Sequence, residues 1–214
     1  MSIKITKHDL GAEIISILTR GMYPDPRDAL REYVQNSIDA KADEVDIRIR
    51  GNSIVIIDNG IGMDNKVMRN AVRIGISDKN PTNSVGFRGI GIYSAFHLCD
   101  KLSIYSRTQK DDSPNLLVFD FKSMREELND QQEKRLLDKI SGDDLTDLQS
   151  LLQDFTSLDP IEIDIYPKIG TRIEITGLDK TFYKSLSKFE ETATYLRQVV
   201  PLHFDEKFSW GSEI

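Results

Sequence analysis

Apolar residues along this chain fall into a small number of clear periods. Between Asp9 and Thr19, Leu10, Ile14, Ile17 and Leu18 recur at helical spacing, which predicts an amphipathic helix before a Gly21–Pro26 break. A second helix is predicted over Pro26–Ala40, with Asp25 as N-cap and Pro26 at the first helical position, where its missing N–H does no harm. The pattern then becomes alternating. Val45–Arg50 and Ser53–Ile57 read as strands joined by a Gly51-Asn52 hairpin turn. A short helix over Asp64–Ile74 is followed by the Gly-, Ser- and Asn-rich stretch Gly75–Gly91, which is long for a plain connector and suits a lid or binding loop. It runs into a helix over Ile90–Leu98. Further strands are predicted at Lys101–Arg107, Asn115–Phe121, Ile161–Tyr166 and Thr171–Thr176, the last two joined by Pro167-Lys168-Ile169-Gly170. A final helix, Ser185–Val199, precedes a Pro201 break. Between the strand pairs, Ser123–Asp159 is densely charged, with leucines such as Leu128, Leu136, Leu145 and Leu152 at helical intervals. It reads as one or two amphipathic helices inserted into the domain, a solvated decoration.

Composition narrows this picture. With 39% hydrophobic and 8% aromatic residues over 214 positions, the chain can bury a core that offsets its ordering entropy, as one domain or at most two small ones. The net charge of −7 argues against nucleic-acid binding through bulk charge and leaves open a local basic groove. A single cysteine, Cys99, excludes an internal disulfide framework and a Cys-rich zinc site. Met1–Leu10 has no apolar signal-like core, and no apolar run reaches the roughly 18 residues of a membrane span. A cytoplasmic protein without membrane association is expected.

Three segments carry candidate chemistry. On the Pro26–Ala40 helix, Asn36 and Asp39 fall within about 40° of Glu32, with Leu30, Tyr33, Val34 and Ile38 roughly opposite. A carboxylate, an amide and a second carboxylate on one face suit an oxygen-ligated cation such as Mg²⁺ and a base that could polarise water; an ordinary solvated face is the alternative. Next, Asp58-Asn59-Gly60-Ile61-Gly62 ends a strand with a carboxylate and two glycines, so a flat ligand can approach the backbone and give an amine hydrogen to Asp58. A plain Asn-Gly turn reads the same. Finally, Gly86-Phe87-Arg88-Gly89-Ile90-Gly91 opens a predicted helix, where free N–H groups favour phosphate. Its spacing matches neither the dinucleotide-binding nor the P-loop pattern.

In this order, Arg-Glu-Tyr-Val-Gln-Asn-Ser-Ile-Asp-Ala (31–40), Asp-Asn-Gly-Ile-Gly-Met (58–63) and Gly-Phe-Arg-Gly-Ile-Gly-Ile-Tyr-Ser-Ala-Phe (86–96) resemble the N-box and the two Gly-rich boxes of the GHKL ATPase superfamily. That superfamily takes in gyrase B, the ninety-kilodalton heat-shock chaperone, histidine kinases and MutL. Gly170-Thr171 resembles the pair that closes the adenine pocket in the chaperone and MutL branches, the nearest ones together with MORC-like proteins. The resemblance implies an α+β fold: a Bergerat-type two-layer sandwich with a mixed sheet, helices on one face and an ATP lid over about 63–87. It implies Mg²⁺-dependent ATP hydrolysis, with Glu32 as the base that activates water and Asn36 as the Mg²⁺ ligand, supported by Asp39. Asp58 would take the adenine amine, backed by Thr171 through water, with Gly60, Gly62 and Met63 shaping the base pocket. Gly86, Gly89 and Gly91, with Phe87, Arg88 and Ile90 between them, would cradle the phosphates, and Ser77 and Lys79 would reach them from the lid.

The expected domain covers 1–200, with the insertion at 123–159 and residues 201–214 beginning a following element. ATP and ADP are the expected ligands. The resemblance further implies an ATP-dependent homodimer paired through Met1–Arg20, within a larger chaperone-like or DNA-transaction protein whose client or DNA binds beyond residue 214. A nucleotide-gated interaction module with little hydrolysis and a histidine-kinase catalytic domain are the rival readings. His97 reads as a packed histidine rather than a metal ligand, and Trp210 as a packing residue.

Overall fold

The computed structural model describes residues 10–76, 89–137, 139–141, 144–162 and 168–200. Six strands, β1 (Val45–Arg50), β2 (Ser53–Asp58), β3 (Lys101–Arg107), β4 (Asn115–Asp120), β5 (Thr156–Pro160) and β6 (Gly170–Thr176), form one sheet in the order β1-β2-β6-β3-β4-β5. The α+β class holds, but every described ladder is antiparallel where a mixed sheet was expected. Two hairpins and an inserted β6 accomplish this without any parallel crossover.

Side chains alternate across the pleat, so the register fixes what each face presents. Three rows cross the inner face. One runs Ile49, Ile54, Ile175, Leu102, Phe119; the next runs Ile47, Ile56, Ile173, Ile104, Leu117. The third, at the sheet's end, is Val45, Asp58, Thr171, Ser106, Asn115. The two apolar rows form the core floor, while Asp58, Thr171, Ser106 and Asn115 are polar and also buried. The opposite face carries surface ion pairs, Arg48 with Asp46 and Arg172 with Glu174.

Seven α-helices are described: α1 (Ile14–Met22), α2 (Arg27–Asp39), α3 (Asn65–Ala71), α4 (Phe121–Leu136), α5 (Leu148–Phe155), α6 (Lys180–Leu186) and α7 (Phe189–Val199). Leu30, Tyr33 and Val34 of α2 join the sheet's rows in the core cluster, with Leu186 and Leu196 from α6 and α7. Helical bonding in α2 starts at Arg27, but Pro26 already has helical angles (φ −58°, ψ −24°). Asp25 accepts from the Arg27 N–H at 2.8 Å, while Asp28 accepts from the Asp25 N–H at 3.0 Å. This reciprocal arrangement caps the helix start as the Asp25-Pro26 pair predicts.

Several elements differ from the periodicity reading. The first helix lies later than Asp9–Thr19, because the buried stripe is Ile15, Ser16 and Thr19 rather than Ile17, which is 59% exposed. In place of an α-helix over Ile90–Leu98 there is a 3₁₀ helix over Gly91–Ala95. There the Phe96 and Cys99 carbonyls accept from the Arg125 guanidinium, which satisfies them outside a helical ladder. The expected Ile161–Tyr166 strand is not found at 161–162, and 163–167 lie outside the described residues. β6 is flanked on both sides by β2 and β3, so neither of its edges is open to that hairpin; β5, at Thr156–Pro160, instead pairs with β4. The helix over Ser185–Val199 is two helices broken at Ser187-Lys188, with the Thr192 hydroxyl donating to the Leu186 carbonyl across the break at 3.0 Å.

The segment expected to be a solvated decoration is partly core. Asp120 caps α4 by accepting from the Ser123 N–H at 2.9 Å, and Phe121, Met124 and Leu128 face inward. Leu148 and Leu151 of α5 do the same. Phe121 stacks with Phe119 at 5.6 Å and meets Phe96 edge-on at 5.3 Å. The reason is spacing: Phe121 lies just outside the charged run, and the residues at Phe121, Met124 and Leu128 share one stripe of the helix.

Candidate functional site

A cavity of about 890 Å³ opens where the polar row of the sheet meets α2. It is lined by Asp58 and Thr171 from the sheet, by Glu32, Asn36, Ser37 and Asp39 from α2, by Gly62 and Met63 after β2, and by Gly89 and Gly91 before the 3₁₀ helix. The α3 residues Asn70 and Ala71, the following Arg73, the end of α1 and Val199 complete the wall.

At the sheet end, Asp58 and Thr171 are partners across the β2–β6 ladder. Asp58 accepts from the Ser37 hydroxyl at 2.9 Å and from the Gly60 N–H at 3.0 Å. Burial pushes its carboxyl above the usual carboxylate range, opposed by those two donors and by a backbone bond from Thr171. The Thr171 hydroxyl lies 3.0 Å from the Ser106 hydroxyl, which is also 3.0 Å from the Gly170 carbonyl and accepts from the Met63 N–H at 2.8 Å.

The two glycines here are required by space. A Cβ on Gly60 would come within 2.7 Å of the Ala40 carbonyl oxygen; one on Gly62, whose φ is +70°, would overlap the Arg107 carbonyl. Only glycine lets this loop lie flat against β3.

At the helix end, Glu32, Asn36 and Asp39 all face the cavity, as the helical period predicts. Glu32 is held by Arg31, whose guanidinium bonds its Oε1 at 3.0 Å and Asp28 at 2.8 Å; the Tyr195 hydroxyl of α7 donates to the same Asp28 oxygen. A Cβ added to Gly91 would sit 2.5 Å from Glu32 Oε2, so the start of the 3₁₀ helix and the carboxylate touch directly. Gly89 has φ +66°, and its carbonyl accepts from the Gly75 N–H at 3.0 Å. Ile90 is buried beneath this turn. Ser77, Lys79, Gly86, Phe87 and Arg88 lie outside the described residues.

Among the described residues no group of three or more His, Cys, Asp or Glu could hold a metal ion by itself. A hard cation here fits the Asn36 amide oxygen together with oxygens of a ligand, the arrangement Mg²⁺ favours. His97 is half-buried, 3.4 Å from the Ser16 carbonyl, with its pKa lowered chiefly by burial, as a packed histidine should be. No described helix is long and apolar enough to cross a membrane.

Sequence reasoning missed Ser37, Ser106 and the Asp28–Arg31–Tyr195 group. Ser37 sits within the 31–40 motif, one residue from Asn36, and Ser106 shares the alternation of Leu102 and Ile104. Their partners, however, depend on strand and helix packing.

Comparison with known proteins agrees with this geometry. The family described as histidine kinase-, DNA gyrase B- and HSP90-like ATPase matches residues 24–150, more than half of the chain. The DNA mismatch repair protein MutL of Ehrlichia chaffeensis is 36% identical over 112 residues, 48% of this chain and 16% of that protein. The chaperone protein HtpG of Desulfitobacterium hafniense is 28% identical over 135 residues, 47% of this chain and 22% of its own length. The mitochondrial heat shock protein 75 kDa of Rattus norvegicus is 27% identical over 143 residues, 51% of this chain and 20% of that protein. The chain thus spans about a fifth of the curated relatives it matches. Its α+β sandwich is consistent with the Bergerat fold, and the matched residues take in α2 and β2 of the cavity but not β6. The chain belongs to the histidine kinase-, DNA gyrase B- and HSP90-like ATPase family, the GHKL superfamily.

Proposed function

We propose that this domain binds ATP with Mg²⁺ and hydrolyses it, with Glu32 as general base. The observation that carries the reading is one cavity of about 890 Å³ holding a buried acceptor, Asp58, at one end and Glu32 with Asn36 at the other. Asp58 receives the adenine amine and Gly62 gives the base its flat approach. Asn36 supplies the protein oxygen for Mg²⁺, which would neutralise phosphate charge when bound, and Asp39 supports that end of the helix face. Gly89 and Gly91, with Gly86 and the lid residues Ser77 and Lys79, contact the phosphates. Glu32 takes a proton from water held beside the phosphates, and Arg31 holds its carboxylate in place beside Gly91. Rate enhancement rests on positioning and electrostatics without a covalent intermediate.

Replacing Glu32 by Ala is expected to leave ATP binding intact and to lower hydrolysis by about 10²- to 10⁴-fold. Equal hydrolysis by the variant overturns the assignment. Labelled ATP should yield free phosphate; a stable phosphoprotein would instead favour a kinase.

A second reading is a nucleotide-gated interaction module, favoured by the apolar surface of the first helix region, where Leu10 is 48% and Ile17 59% exposed. In it, ATP closes the lid and pairs two copies through Met1–Arg20 while hydrolysis is slow. Sedimentation of the Glu32→Ala protein should then show a doubling of mass with ATP, and an unchanged mass counts against pairing. The domain is read as 1–200 of a larger cytoplasmic chaperone-like or DNA-transaction protein, whose client or DNA would bind elsewhere.

A further inference from the structure

The polar row at the end of the sheet contains a hydroxyl whose proton has one consistent place to go. Ser106 is fully buried, so no solvent replaces its partners. Its oxygen makes three contacts: the Met63 N–H at 2.8 Å, the Gly170 carbonyl at 3.0 Å and the Thr171 hydroxyl at 3.0 Å. An N–H can only donate and a carbonyl can only accept. Met63 therefore occupies one lone pair of Ser106, and the Ser106 proton goes to Gly170. The contact with Thr171 is then a hydrogen bond only if Thr171 is the donor. If Ser106 gave its proton to Thr171 instead, the Gly170 contact would hold no proton and a buried carbonyl would lose a partner. Only one arrangement satisfies all three contacts.

The consequence falls on the cavity. With its proton committed to Ser106, the Thr171 hydroxyl has only lone pairs left to offer to the ligand space that Thr171 lines. Beside it, Asp58 already accepts from Ser37 and Gly60, and as a carboxylate it too can only accept.

We infer that Ser106 is a positioning residue that sets hydrogen-bond polarity at the base end of the cavity, acting through Thr171 so that two adjacent acceptors face the ligand. Such a pair takes a heterocycle edge bearing an amine with two hydrogens and rejects one bearing a carbonyl oxygen. The inference rests on the ATP-binding reading and adds to it the residue that enforces discrimination against 6-oxopurines.

The test compares the dissociation constants of ATP and ITP, which carry an amine and a carbonyl at the 6-position and differ also in the N1 proton of ITP, by calorimetry on the Glu32→Ala background so that neither is turned over. The parent is expected to favour ATP by at least about 10²-fold, because a site built to pair a donor leaves its buried acceptors unmatched by a carbonyl. Ser106→Ala frees the Thr171 proton, which can then be offered to a carbonyl, and should narrow the ATP:ITP ratio about tenfold. Ser106→Thr retains the hydroxyl and should restore the parent ratio, which a loss of packing alone would not do. Thr171→Ala removes the second acceptor directly and must narrow the ratio as well, so the inference stays testable if Ser106→Ala fails to fold. An unchanged ratio in the Thr171→Ala variant, or in a folded Ser106→Ala variant, overturns the inference while leaving ATP binding in place. Binding of neither nucleotide by the parent overturns the ATP reading itself, and the inference with it.

Discussion

Asp58 shows how this site opposes stability at a single residue. Burial is the largest influence on its carboxyl and raises its pKa in the folded protein. A raised folded-state value means that its stabilising contribution is present at low pH and is lost as pH rises through that value, so at neutral pH the buried charge works against the ligand-free fold. Asp58→Asn is therefore expected to raise the melting temperature of the ligand-free protein at pH 7 while abolishing ATP binding. A variant that melts lower and binds ATP would contradict both halves. For the same reason, ATP affinity of the parent should fall as pH drops through the raised value, where Asp58 gains a proton. Gly91 offers a second residue-scale test. A methyl there meets Glu32 Oε2, so Gly91→Ala should lower the hydrolysis rate by about 10²-fold through displacement of the base, with KM for ATP changed far less. Glu32, Asn36 and Asp39 were legible because one helical period places them together. Ser106 was not, since its partners come from Gly62-Met63 and β6.

Among the elements, α4 and α5 depart most from the sequence reading. Charge density marked their segment as solvated, yet Phe121, Met124, Leu128, Leu148 and Leu151 are buried in the same core as the sheet. Leu151→Ala should cost about 2–5 kcal/mol in denaturant unfolding, the range for truncating a buried leucine. A cost under 0.5 kcal/mol would mark these helices as detachable. The hydrophobic period located β1 through β4 and β6 within a residue because each alternates on a half-buried face. It missed β5 and gave β6 a hairpin partner in Ile161–Tyr166, since alternation shows that a segment can pair but not which edge is vacant. β6 already has two neighbours, and β4 had the open edge that β5 takes.

Across the whole molecule, one hydrogen-bonded chain joins the last described helix to the candidate base. Tyr195 on α7 donates to Asp28, Arg31 bridges Asp28 and Glu32, and Arg27 lies over the Tyr195 ring at 4.6 Å. Asp28 is 4% exposed, so a lost partner leaves a buried carboxylate under-satisfied. Tyr195→Phe should destabilise the fold by about 1–3 kcal/mol. Urea unfolding that matches the parent would show that the link carries no weight. What the sequence alone determined was local: the helix bearing Glu32, Asn36 and Asp39, the glycines where backbone must approach backbone, and the motifs that place the chain in its family. Each is set by residues close in sequence and by the 3.6- or two-residue period of the chain. The tertiary structure decided the rest. It chose which strands pair, packed the charged segment's hidden stripe into the core, and brought Asp58, Thr171 and Ser106 into one buried row. Those outcomes depend on competition among distant surfaces for the same edges and the same apolar face, and no local period records which surface wins.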